Sequence, residues 1–224
     1  NLAVNTTGSL SSTGATTVAG GYTKSGSGSH DIANTTFSVT GTSDIQAGTF
    51  STSGTGSVSL GVVTNSATMT VSGSGASSLG AVSNSSAMTL NSTAGTVTFT
   101  GNYSGIGTLS ATSSTPAVTF QANFSPGGNA TFGSQTLQFQ SDVTVTGGAL
   151  TLSSSSSFTG TSKDFEISGG SVVASAGTLS FTTGTGQTIT GNVTFPSLTV
   201  NNSDTVTITT GSLPTVTGTL TLTS

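Results

Sequence analysis

The sequence predicts an all-β fold, a parallel β-helix (β-solenoid) wound in coils of roughly 19 residues with irregular insertions. Three observations predict it. A thirteen-residue segment recurs nineteen residues further along the chain. Short units alternate apolar and polar residues, as half-buried strands do. The composition is rich in strand-forming and turn-forming residues, with a charged fraction of only 4%.

The internal repeat is the most specific of these signals. Residues 59–71 read SLGVVTNSATMTV and residues 78–90 read SLGAVSNSSAMTL, with eight of the thirteen positions identical. Each repeat of a solenoid buries its apolar face against its neighbours. We therefore expect Met69 and Val71 to stack on Met88 and Leu90 in adjacent coils.

Apolar–polar–apolar units predict the strands in chain order. Side chains alternate faces along a strand, so the two apolar residues of each unit point inward and the polar one points outward. Clusters of Gly, Asn and Ser flank the units and mark the turns. The inward pairs are Met69/Val71, Met88/Leu90, Val97/Phe99, Val118/Phe120, Leu137/Phe139, Val143/Val145, Leu150/Leu152, Leu179/Phe181, Val206/Ile208 and Leu220/Leu222.

The spacing of the units predicts the organisation of the chain. Val118 and Leu137 are nineteen residues apart, as are Met69 and Met88, and a coil of that length holds three short strands and three turns. Longer spacings predict insertions within residues 101–116 and 153–164. We expect about eleven coils, with 37–224 forming the repeats and 1–36 an N-terminal coil or partly irregular segment, of which 1–30 could be disordered.

Two asparagines occupy matching places in the repeat. Asn65 and Asn84 are each followed by Ser and stand four residues before the inward Met, and Asn202 precedes Val206 in the same way. Asn suits tight corners, and its amide can bond to an Asn one coil away. The offset favours stacked amides; the alternative is that Asn is simply common in turns.

The C-terminal part of the chain resembles a known class of repeats. Residues 192–202 read NVTFPSLTVNN, and VTI at 206–208 and VTGTLTL at 216–222 follow. These segments resemble the repeats of large bacterial surface β-helix proteins, namely filamentous-haemagglutinin-type adhesins and autotransporter passengers. The resemblance implies a right-handed, secreted, surface-exposed β-helix. It transfers no functional residue, since those families share no common active site.

The charge balance disfavours several partners. The 224 residues carry a net charge of −4, with Lys24 and Lys163 as the only strong bases and no Cys. Such a chain has little means to neutralise phosphates, which argues against nucleic acid and anionic lipid as partners. It has no disulfide framework and no apolar run of membrane-spanning length. Residues 1–4 lack the features of a signal peptide, so we expect a mature or excised segment.

The acidic residues offer one candidate pair. Asp164 and Glu166 would share a strand face, a spacing that could serve sugar hydrolysis or calcium binding. The alternative, which we favour, is a solvated turn in which Phe165 and Ile167 face the core. The scarcity of basic residues, with no Arg, argues against an enzyme that stabilises developing negative charge.

Other polar motifs are weaker. His30-Asp31 among many serines suggests a catalytic triad, but triads are defined by geometry and serine is common throughout this chain, so a polar loop is strongly favoured. Pairs of the form Thr-x-Thr suggest an ice-binding face, although their uneven spacing argues against a flat one. Glycosylation sequons occur at Asn84, Asn91, Asn102, Asn129 and Asn192, among others. We predict no catalytic, cofactor-binding or metal-binding residue.

The sequence thus favours a non-enzymatic extracellular structural protein: a cell-surface shaft, an adhesin segment or a filament subunit. A carbohydrate- or surface-binding adhesin is the main alternative, for which exposed aromatics such as Tyr22 and Tyr103 would be evidence. A polysaccharide-degrading β-helix and an ice-binding solenoid are less favoured. Both ends lack a helical cap, so we expect cover from adjoining coils of a longer chain or end-to-end self-association.

Overall fold

A computed structural model describes residues 1–111, 115–153, 156–159, 164–183, 186–201, 205–209 and 211–223. These residues form short strands joined by tight turns, and no helix occurs among them. The strands, in chain order, are β1 (Leu2–Val4), β2 (Ser9–Ser12), β3 (Thr16–Val18), β4 (Tyr22–Lys24), β5 (Ser29–Ile32), β6 (Phe37–Ile45), β7 (Thr49–Thr52), β8 (Val58–Asn65), β9 (Thr68–Gly73), β10 (Ser77–Leu79), β11 (Val82–Asn84), β12 (Ala87–Ser92), β13 (Val97–Phe99), β14 (Tyr103–Gly105), β15 (Thr108–Ala111), β16 (Ala117–Phe120), β17 (Phe124–Pro126), β18 (Ala130–Phe132), β19 (Thr136–Phe139), β20 (Val143–Val145), β21 (Ala149–Leu152), β22 (Ser156–Thr159), β23 (Asp164–Ile167), β24 (Ser171–Ala174), β25 (Thr178–Thr183), β26 (Gln187–Thr190), β27 (Thr194–Phe195), β28 (Ser197–Asn201), β29 (Val206–Ile208), β30 (Thr215–Val216) and β31 (Leu220–Thr223).

The strands stack into three parallel ladders, one on each face of a solenoid. Face 1 runs from β3 through the first halves of β6 and β8 to β10, β13 and every third strand up to β31. Face 2 runs from β1 and β4 through the second halves of β6 and β8 to β11, β14 and onward to β29. Face 3 is a separate sheet of 11 strands, from β2 to β30. The predicted β-solenoid is confirmed.

Coil length varies while the ladders continue. Val63 pairs with Val82 nineteen residues on, whereas Phe165 pairs with Ile189 twenty-four residues on. The mean is about 20 residues per coil, and the 11 strands of face 3, one per coil, agree with the expected number of coils. Most of the extra residues lie between strands, where turns accept insertions at little cost. Two irregularities lie within paired strands, between Val39 and Thr42 of β6 and between Phe158 and Thr159 of β22. The insertions predicted within 101–116 and 153–164 fall partly outside the described residues, at 112–114, 154–155 and 160–163.

The predicted inward residues form one continuous core. Met69 pairs with Met88 and Val71 with Leu90, and all four are at most 1% exposed. The pairing of Val118 with Leu137 is confirmed as well. Stacked rings from successive coils fill the centre: Phe99 and Phe120 have centroids 4.6 Å apart and nearly parallel planes. A narrow core of this kind suits a chain whose apolar residues are thinly spread.

The last coil departs from the predicted burial. Ile208, Leu220 and Leu222 lie in the inward rows, in register with Ile189, Leu198 and Val200. They are nevertheless 53%, 54% and 70% exposed. Each coil is covered by the coil that follows, and no described strand follows β31 to cover these side chains.

Close approach between coils constrains the backbone at the turns. Gly105 follows Tyr103 and Ser104 with a φ of +128°. A Cβ atom there would lie 2.0 Å from the carbonyl oxygen of Asn84 in the coil before. Only glycine fits this corner without displacing the backbone.

Candidate functional site

A line of buried amides lies at the corner between faces 2 and 3. Asn65 and Asn84 pair in register and are completely buried. The Asn65 Nδ2 atom donates to Asn84 Oδ1 at 2.8 Å and to the Ala87 carbonyl at 3.1 Å. The predicted stacking of these amides is confirmed. Asn202, the third residue of the predicted set, lies outside the described residues.

The line continues into the next coil through an aromatic hydroxyl. Asn84 Nδ2 donates to the Tyr103 hydroxyl at 3.0 Å and to the Thr108 carbonyl at 3.0 Å. Burial raises the pKa of Tyr103 to about 12, although the Asn84 hydrogen bond acts in the opposite direction. The amides therefore donate to carbonyls at the corner, Asn65 to that of Ala87 and Asn84 to that of Thr108, which is a structural role.

Lys24 fills the equivalent inward position nearer the N-terminus. It pairs with Ile45, which in turn pairs with Asn65, so all three belong to one row. The Lys24 side chain is fully buried; its Nζ atom donates to the Gly26 carbonyl and, at 3.1 Å, to the Ala47 carbonyl. Burial lowers its pKa. The burial of Lys24 was not predicted; its only signal in the sequence is a spacing of two from Tyr22.

A second polar cluster surrounds the single histidine. His30 is 1% exposed, and its Nε2 atom lies 2.8 Å from Ser12 Oγ. Its Nδ1 atom lies 2.7 Å from the Tyr22 hydroxyl. Asp31 faces the opposite side of β5 and accepts hydrogen bonds from Ser51 and Ser53. The alternation of the strand therefore separates His30 from Asp31, and the favoured polar loop is wrong too, because both residues lie in a strand.

Three carboxylates lie on the outer side of face 2. Asp164 and Glu166 share that side as predicted, and Phe165 between them is buried. Asp142 lies one coil earlier, in register with Asp164. Asp142 Oδ1 accepts the backbone N–H of Asp164 at 3.1 Å, and Asp164 Oδ1 accepts that of Thr188 at 3.1 Å.

Asp142 and Asp164 therefore join successive coils rather than converge on a ligand. Asparagines make the same contact elsewhere: Asn129 Oδ1 accepts from Ala149 N at 3.0 Å and Asn192 Oδ1 from Leu213 N at 2.9 Å. Among the described residues, no group of three or more acidic, His or Cys side chains could hold a metal ion.

Hydroxyl side chains form continuous outward rows. On face 1 the outward row reads Thr17, Ser38, Ser59, Ser78, Thr98, Thr119 and Gln138. The Thr-x-Thr pairs are unevenly spaced in the sequence, but the outward residues still stack in a continuous row. The prediction that uneven spacing prevents a flat face is therefore wrong. Threonine is nevertheless interrupted by serine and glutamine, so the row offers no uniform array of threonine methyl groups to a crystalline surface.

Aromatic side chains are absent from the described surface. Every described Tyr and Phe side chain is buried, including Tyr22 and Tyr103. Sugar-binding surfaces commonly stack aromatic rings against the ligand, and the described part of this molecule offers none. Asn84, one of the sequon residues, is buried and has no room for a glycan.

The coil nearest the C-terminus carries an open apolar cavity of about 240 Å³. Its lining includes Ile189, Val200, Val206, Ile208, Leu220 and Leu222, which are core positions without a covering coil. In the described part of the chain, no helix is long and apolar enough to cross a membrane.

Comparison with protein-family models, with curated proteins and with solved structures found no match to this chain.

Proposed function

We propose that this chain is an extracellular structural β-solenoid that serves as a cell-surface shaft, an adhesin segment or a filament subunit. The observation that carries the proposal is the unbroken stacking of coils. Parallel ladders run on three faces from β1 to β31 around one core. The mechanism is mechanical: hydrogen bonds along the solenoid axis join each coil to the next, and side-chain amides and carboxylates add further links.

The surface chemistry supports the same proposal. The outward rows are mostly Ser and Thr, and the charged fraction of the chain is 4%. Such a surface stays hydrated through its hydroxyl groups without strong attraction to charged partners. Four of the described carboxylates accept hydrogen bonds, Asp31 from serines, Asp44 from Gln46, and Asp142 and Asp164 from backbone N–H groups. The proposal includes no enzymatic activity.

The partner we propose is another coil of the same kind. The apolar end of the described solenoid has the chemistry of the core between any two coils. It would be covered either by adjoining coils of a longer chain or by the first coil of a second copy. A contact between unlike ends repeats without closing and builds a filament.

The test uses the 1–224 chain in sedimentation and electron microscopy. The filament form predicts rods longer than a single solenoid of roughly 50 Å, and a sedimentation coefficient that rises with protein concentration. Leu222→Asp should shorten the rods to single solenoids, because it places a charge on the apolar end. Thr221→Asp, its outward neighbour, is the matched control and should leave the rods intact. Monomers at high micromolar concentration for the parent chain would contradict the filament form.

A further inference from the structure

His30 is built into the core where the first three coils meet. It pairs with Leu10 of the coil before and with Phe50 of the coil after. The ring centroids of Tyr22, Phe37 and Phe50 lie 5.8, 6.3 and 6.2 Å from that of His30. We name these four residues, together with Ser12, the His30 cluster.

The hydrogen bonds of the cluster fit a neutral imidazole. A neutral ring has one donor and one acceptor nitrogen. Tyr22 has no other hydrogen-bond partner among the described residues, so its hydroxyl donates to Nδ1 at 2.7 Å. The Nε2–H group then donates to Ser12 Oγ at 2.8 Å. Every polar hydrogen of His30 and Tyr22 is satisfied in this arrangement.

A second proton on the ring breaks this arrangement. Both ring nitrogens of a cationic imidazole are donors. The Tyr22 hydroxyl would then have to accept from Nδ1, and its own hydrogen would point among the rings of Phe37 and Phe50. A buried donor without an acceptor is costly. The Tyr22–His30 contact therefore favours the neutral ring.

Burial and the charge of Lys24 also favour the neutral ring. Lys24 on β4 is the buried cation nearby, and neither β2 nor β7 carries a charged residue. Asp31 on β5 and Asp44 on β6 are the nearby carboxylates; both project outward and are hydrogen-bonded, Asp31 to serines and Asp44 to Gln46. Burial is the largest cause of the lowered His30 pKa, Lys24 lowers it further, and Asp31 acts in the opposite direction.

We propose that protonation of His30 opens the first two coils, β1–β5, at mildly acidic pH and exposes the strand edges of β6 and β7. Phe37 and Phe50, both fully buried when the coils are closed, would then become accessible. The apolar, unpaired edge formed by β6 and β7 would be presented only in acid. His30 is the one histidine in the chain, so no other side chain ordinarily titrates between pH 5 and 8.

The sign of the pH effect follows from proton binding. The opened coils hold an exposed His30 with a pKa near 6.5 and bind the proton more tightly than the closed ones. The closed state is thus favoured above pH 6.5, and it weakens as the pH falls toward the lower pKa of the closed state. Between these two values the opening constant should rise up to about tenfold per pH unit, and below them it should level off.

Amide hydrogen exchange of the whole 1–224 chain from pH 7.5 to 5.0 tests the proposal. After correction for intrinsic rates, protection in β2, β4 and β5 should fall up to about tenfold per pH unit, while protection in β12–β20 stays constant. His30→Gln removes the titrating group and should remove this pH dependence. Asp31→Asn, on the opposite face of the same strand, is the matched control and should retain it.

Two results would overturn the proposal. The first is a hydrogen-exchange result: protection of β1–β5 in the parent stays unchanged down to pH 5, or His30→Gln loses protection in the same way as the parent. The second is a His30 pKa at or above 6.5 in an NMR titration of the parent, where the single imidazole gives one unambiguous signal. This second measurement does not depend on whether the variant folds.

Discussion

At the scale of the residue, inward polar side chains stabilise the corners between faces through hydrogen bonds. Asn84 receives one hydrogen bond and donates two, linking Asn65, Tyr103 and the Thr108 carbonyl across three coils. The Asn65, Asn84 and Tyr103 side chains are at most 1% exposed, so these three cannot exchange their partners for solvent. A buried polar residue of this kind contributes mainly by preventing unpaired groups.

Asn84→Ala should therefore destabilise the chain by about 2–4 kcal/mol, through lost partners for buried groups and a small cavity. Asn5→Ala provides the control, because Asn5 is exposed, and should change stability by less than about 0.5 kcal/mol. Denaturant unfolding followed by circular dichroism measures both. Equal midpoints for the two variants would show that the amide line contributes little.

At the scale of the element, alternation within a three- to six-residue strand fixes which side chains are buried. β12 has Met88 and Leu90 inward and Thr89 outward. The outward neighbours of Thr89 across the ladder are Thr70 and Ser110, both uncharged. The two sides of one strand therefore offer a direct comparison of the same substitution.

Met88→Asp should cost more than about 3 kcal/mol, because it places an unpaired charge in a narrow apolar core. Thr89→Asp should cost less than about 1 kcal/mol, since the same charge remains in water. The difference in unfolding free energy is the measurement. A Met88→Asp variant that melts with the parent would show that the register of β9 and β12 is wrong.

Alternation and the repeat sufficed to predict ten of the 31 strands, β9 and β12 among them, because burial in a solenoid depends on local pattern. They did not reveal Lys24, Tyr22 and His30 as core residues. Lys and His are ordinarily solvated, and only three-dimensional proximity to carbonyls and hydroxyls allows them inside. The exposure of Leu222 was likewise not evident, since burial of an inward residue depends on the next coil rather than on its own strand.

At the scale of the whole molecule, the strands stack the coils and the turns accommodate most differences in coil length. The ladders continue, with two local shifts of register, although the coil length ranges from 19 residues at Val63–Val82 to 24 at Phe165–Ile189. Stability is then approximately a sum over neighbouring coils. One coil more or less changes the length of the solenoid without changing its cross-section.

Removing residues 63–81, one coil in the register of Val63 with Val82, should leave a protein that melts cooperatively and has the β circular dichroism per residue of the parent. Removing only 63–72 leaves a fragment too short to wind once around and should abolish cooperative melting. If both deletions behave alike, the coil is not the structural unit.

Burial of Lys24 also affects how readily proteases cleave the folded chain. Enzymes of trypsin specificity cut after Lys or Arg, and the chain contains two such residues in 224. One of them has its side chain enclosed and its ammonium group held by carbonyls of Gly26 and Ala47. Residues 1–162 therefore offer a trypsin-like protease no accessible cleavage site until the coils around Lys24 come apart, so digestion there reports on unfolding rather than on surface loops.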